Sequence, residues 1–180
     1  MEEFRRKSIR LGAESYLGYG TYFLTMCFEG RESFGADKQT AQWLIEVLRE
    51  QAAKESFLVH AYCVMPDHMH VLAEGADERC DLRAFVSSFK QQTGYVFQKG
   101  KGKRLWQSKY YDHILRKGGD AEGVAWYIWE NPVRKGICGV AGEYPYLGAM
   151  TREGQKMLGR IAAVKWVPPW KGKGQRKMPG

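Results

Sequence analysis

The chain of 180 residues lacks any run near the roughly 18 apolar residues that a membrane-spanning helix needs. Its first residues, Met-Glu-Glu-Phe-Arg-Arg-Lys, lack the apolar core of a signal peptide. There is no Cys-x-x-Cys pair. The four cysteines, Cys27, Cys63, Cys80 and Cys138, are too scattered for a zinc ribbon or a compact disulfide framework. These absences point to a cytoplasmic protein with reduced thiols and no membrane partner. Histidine is scarce as well, four in all, which gives weight to two that stand close together.

Acidic residues are missing where basic ones gather. The formal charge is +8. From residue 151 onward eight Lys/Arg face the single Glu153, eight minus one giving +7 in that tail. A second run, Lys99, Lys101, Lys103, Arg104 and Lys109, contains no acid, and Trp106, Tyr110 and Tyr111 lie in or beside it. Cations neutralise phosphates and aromatic faces stack on unpaired bases, so both segments are candidates for contact with nucleic acid. Within them Lys101, Lys103, Arg104, Trp106, Lys171, Lys173, Arg176 and Lys177 are the residues singled out, joined by Lys90, Arg116 and Arg134 as further phosphate contacts.

The length fits one domain with a substantial core. Residues 20–29 are rich in aromatic and β-favouring types and read as a strand. Ala41, Leu44, Ile45, Leu48 and Ala52 recur at helical spacing within 36–54. Residues 57–65 and 68–74 read as strands joined at Pro66-Asp67, an antiparallel hairpin. Asp81 caps a helix running to about Phe97; 99–103 reads as a turn or loop; Leu105–Arg116 reads as a strand; Asp120 begins a helix ending near Asn131-Pro132. The order predicts an α+β domain over 1–150, an antiparallel sheet with helices packed on one face, followed by a basic tail over 151–180.

Chemistry concentrates in two places. In Met-Pro-Asp-His68-Met-His70-Val-Leu the histidines are two apart, so on an extended strand both project from one face. Two neutral imidazoles side by side are a ligand pair for a divalent cation. In the helix, Tyr127 and Asn131 are four apart and share a face. A tyrosine hydroxyl can attack a phosphodiester, and the amide of Asn131 offers an oxygen ligand suited to Mg²⁺ or Mn²⁺.

Four blocks, Met-Pro-Asp-His68-Met-His70-Val-Leu, Ser-Phe-Lys90-Gln, Leu-Trp106-Gln-Ser-Lys-Tyr-Tyr-Asp-His and Tyr127-Ile-Trp-Glu-Asn131-Pro-Val-Arg134, together resemble the REP-associated tyrosine transposases, members of the single-strand "HUH" transposases. The likeness runs from about Tyr19 to Val140. It implies a ferredoxin-like fold related to RNA-recognition domains and metal-dependent cleavage and rejoining of single-stranded DNA, often at hairpin-forming repeats. It also implies His68 and His70 as metal ligands with Asn131 as the third, Tyr127 as the nucleophile, and a protein that acts on bacterial DNA as a monomer or homodimer. The pattern often has Asn where Asp67 stands here. Two rival readings use the same residues: a non-catalytic module that holds structured nucleic acid, and a hydrolase whose metal activates water.

Overall fold

The structure, a computed structural model, describes residues 12–115 and 119–161. Arg116, the tail residues Lys171, Lys173, Arg176 and Lys177, and most of the predicted tail lie outside the described residues. Five strands form one antiparallel sheet: β1 Thr21–Cys27, β2 Phe57–Val64, β3 His68–Gly75, β4 Tyr111–Leu115 and β5 Leu147–Gly148, in the order β4-β1-β3-β2-β5. The helices are α1 Lys38–Lys54, α2 Leu82–Lys101, α3 Ala121–Trp129, α4 Asn131–Arg134 and α5 Arg152–Ile161.

Alternation along β1 divides the two faces. Tyr22, Leu24 and Met26 are buried with Met69 and Val71 of β3 and with the apolar stripes of α1 and α2, among them Leu44, Leu48, Phe85 and Phe89. Asp37 and Asp81 cap these helices, each accepting backbone N–H bonds. The opposite face carries Phe23, Thr25, His68, His70 and Leu72, and here a second apolar cluster forms. Ala61, Cys63 and Leu72 from the sheet meet Ala125, Ile128 and Trp129 of α3. The α+β antiparallel plan is the one expected, but helices on one face only is not: α3 covers the other face. Trp129 fixes that docking, fully buried with its indole N–H donating to the Gly148 carbonyl at 2.9 Å.

Three local expectations are also corrected. Residues 99–101 continue α2 instead of forming a loop, and the helix stops where Gly102 adopts φ 68°, a left-handed C-cap natural to glycine. Residues 105–110 are not a strand: Trp106 makes an isolated bridge to Phe28, and pairing begins only at Tyr111. The helix carrying Tyr127 ends at Trp129. Pro132 has no N–H to continue the ladder, so Asn131 opens the separate α4.

Candidate nuclease site

His68 and His70 begin β3, and the β1 register sets Thr25 opposite His70. Both rings are nearly buried, 7% and 5% exposed. Their Nε2 atoms converge to 3.0 Å and their rings cross edge to face. The remaining nitrogens are held from behind. His68 Nδ1 donates to Asp67 Oδ1 at 2.6 Å, and His70 Nδ1 is bonded to the Thr25 hydroxyl at 2.9 Å. Burial lowers the pKa of both rings. That of His70 falls to about 3, with His68 adding to the shift; at His68 the hydrogen bond and charge of Asp67 oppose it. Both imidazoles are thus neutral at physiological pH, the form that ligates a metal.

The spacing of this pair, itself a hydrogen-bond distance, is also that of two ligands of one cation. Two nitrogens about 2.1 Å from one ion and subtending about 90° lie about 3.0 Å apart, the separation found here. Imidazoles that ligate a metal regularly donate their other ring N–H to an acceptor behind them, and Asp67 stands in that position behind His68.

The helix meets the hairpin within a single chain. Tyr127 is 46% exposed, its ring 6.1 Å from that of His70 and 5.9 Å from Phe23, centroid to centroid. The guanidinium of Arg134 lies over the Tyr127 ring, 3.7 Å from its centre. Asn131 is buried at the start of α4. Its neighbour Glu130 is wholly buried, and among the described residues neither carboxylate oxygen has a hydrogen-bond partner. Burial raises the Glu130 pKa to about 6, against the pull of Arg134.

The predicted nucleic-acid contacts divide. Lys101 is exposed at the end of α2. Lys103 and Arg104 are exposed as well, but paired with Glu32 at 2.8 Å and Glu29 at 3.5 Å, surface bridges weak enough to yield to phosphate. Lys90 instead ties two segments together: its ammonium donates to the carbonyls of Gln107 and Ser108. Trp106 is a correction. It is 3% exposed, packed at a tilt against Phe28 and Phe89, and its N–H donates to Thr93, so it presents no face to a base. Residue by residue reading missed Thr25, Phe23 and Arg31. Only the alternation of β1 carried a signal for the first two.

The family described as "Transposase IS200 like" matches residues 19–131, more than half of the chain, and the chain belongs to that family. Among curated relatives it is 27% identical over 150 residues to the REP-associated tyrosine transposase of Escherichia coli K12, covering 81% of each chain. It is 25% identical to a putative REP-associated tyrosine transposase of Haemophilus influenzae, covering 71% of this chain and 78% of the relative. A solved REP-associated tyrosine transposase bound to a REP hairpin shares the fold, with a TM-score of 0.67 and 24% identity over 93% of this chain and 92% of that one.

Proposed function

We propose that the protein cleaves and rejoins single-stranded DNA beside hairpin-forming repeats, with Tyr127 as nucleophile. The observation that carries this reading is the half-exposed Tyr127 ring packed against His70 of the converging histidine pair. The Tyr127 oxygen attacks a phosphorus, the bond from that phosphorus to the 3′ oxygen breaks, and a 5′-phosphotyrosine and a free 3′-hydroxyl result. The phosphodiester count is conserved, so attack by another 3′-hydroxyl reseals the strand and frees the tyrosine.

His68 and His70, with the amide oxygen of Asn131, are the residues that would hold Mg²⁺ or Mn²⁺, and a bound cation would supply Lewis-acid polarisation of the phosphate. The chain's own residues do the rest. Phe23 and His70 wall the tyrosine ring on one side, and Arg134 stacks on it while bringing a positive charge to where phosphate must arrive. Lys101, Lys103 and Arg104 offer a route for the DNA backbone. The REP hairpin held by the solved relative supports hairpin DNA as the ligand.

The test is a denaturing gel after incubation with hairpin-flanking single-stranded DNA and Mn²⁺. A covalent protein–DNA adduct is expected from the wild type and none from Tyr127→Phe. Free ends without adduct support a hydrolase, and binding without cleavage supports a non-catalytic module. An adduct that persists in Tyr127→Phe overturns the assignment of the nucleophile.

A further inference from the structure

His68 is the middle of a chain of contacts that reaches the surface. Arg31 Nη1 donates to Asp67 Oδ2 at 3.1 Å, and the other oxygen of that carboxylate accepts from His68 Nδ1 at 2.6 Å. An ionised carboxylate has no proton to give, so the proton of this bond sits on Nδ1 and the Nε2 of His68 keeps its lone pair. That Nε2 is the atom 3.0 Å from His70 Nε2. The Thr25 hydroxyl behind His70 both donates and accepts and fixes no tautomer. At His68 the neighbour that assigns the proton is Asp67, while at His70 the backbone of Leu24 supplies a hydrogen bond beside that of Thr25.

Asp67 is itself held from several directions. Phe28 N–H donates to its carbonyl at 3.0 Å, and Gly35 N–H donates to the carbonyl of Pro66 at 2.9 Å. Arg31 follows directly in the segment after β1, between two residues also fixed by ion pairs, Glu29 to Arg104 and Glu32 to Lys103. Its backbone lies at φ 57°, a left-handed conformation that favours glycine. A side chain other than glycine is kept at a strained position, and that side chain grips Asp67. Half-exposed ion pairs of this kind add little to folding. Its value lies in what it holds.

We propose that Asp67 is the positioning residue of the histidine pair and that Arg31 positions Asp67. The carboxylate sets the His68 tautomer and ring orientation, so that the Nε2 lone pair faces a divalent cation shared with His70. The inference rests on the reading of His68 and His70 as metal ligands. Asparagine at this place would offer an oxygen without the charge.

Two measurements on the full-length protein test it. The first is Mn²⁺ affinity without DNA, read from the paramagnetic resonance signal of the free ion. Asp67→Ala is expected to bind about 10- to 100-fold more weakly than wild type, with Asp67→Asn between the two. Arg31→Gly removes the grip while relieving the backbone, so it is expected to bind several-fold more weakly with an unfolding midpoint no lower than wild type. The second is the tautomer of His68 in metal-free protein, read from its ring ¹⁵N–¹H correlations. A single Nδ1–H form is expected in the wild type and a mixture in Asp67→Ala. If Asp67→Ala keeps the Nδ1–H form and binds within about twofold of wild type, the proposal is overturned. If His68→Ala binds Mn²⁺ like wild type, the metal-ligand reading fails instead, while the tautomer measurement still decides the role of Asp67.

Discussion

Arg134→Met tests how the nucleophile is held. The variant keeps an apolar stem of similar length and removes the planar cation that lies 3.7 Å from the centre of the Tyr127 ring. A cation over an aromatic face contributes about 0.5–1 kcal/mol when exposed and about 2 kcal/mol when desolvated. Tyr127 is 46% exposed and Arg134 is partly buried, so the pair falls between these limits. A loss of about 1–2 kcal/mol corresponds to a roughly 5- to 30-fold slower reaction. The assay is single-turnover formation of the protein–DNA adduct with DNA well above its Kd, the Kd being measured separately by fluorescence anisotropy. The slowing is expected at saturating DNA, because it arises from a misplaced nucleophile and not from weaker capture. Arg134→Lys keeps the charge without the flat stack and should fall between wild type and Arg134→Met. A rate for Arg134→Met within about twofold of wild type at saturation, with the whole defect in Kd, would refute the stacking argument and leave Arg134 as a phosphate contact only.

Tyr22 sets an alkaline limit on stability. Its phenol is buried, which with nearby Cys80 and Asp81 pushes its pKa from 10.0 to about 12. Between these values the unfolded phenol ionises while the native one does not. The stability it lends is therefore present below pH 10 and lost by about pH 12, a fall of about 3 kcal/mol. Tyr22→Phe should lose about 1 kcal/mol at neutral pH, from its bond to the Ser15 carbonyl, and lack this alkaline fall in urea unfolding. Parallel pH curves for the two proteins would contradict it. Gly35→Ala should cost about 2 kcal/mol or more and lower Tm by roughly 4–8 °C, since its β-carbon would sit 2.2 Å from the Met65 carbonyl oxygen, backbone against backbone. Tyr111 is 61% exposed and lies opposite Thr25 on the face that carries His70. Tyr111→Ala should weaken binding of single-stranded DNA by about 1–3 kcal/mol, read by anisotropy, while the adduct on Tyr127 still forms.

What the sequence revealed and what it concealed divide by range. The α1 stripe from Ala41 to Ala52, the β-favouring composition of residues 20–29 and the Pro66-Asp67 turn are local patterns, and each produced its element. The spacing of His68 and His70 needed only the period of a strand. Residues 105–110 misled for the opposite reason: Leu105 and Trp106 are buried by Phe28 and Phe89 from distant segments, so their strand-like composition reflects burial and not pairing. The face chosen by α3 was equally hidden, because Ala125, Ile128 and Trp129 would suit either side of a sheet. Only the small apolar patch of Ala61, Cys63 and Leu72, drawn from two strands, decides it. The contact between Asp67 and His68 shows most sharply where local reasoning ends. Neighbours within a strand point to opposite faces, a rule that would separate them. Asp67 escapes it because it precedes β3, in the turn, and from there its carboxylate reaches His68 Nδ1. The partner that holds it there, Arg31, is 36 residues away in sequence, and nothing in a run of Glu-Gly-Arg-Glu marks the arginine that reaches the site from those that only solvate the surface.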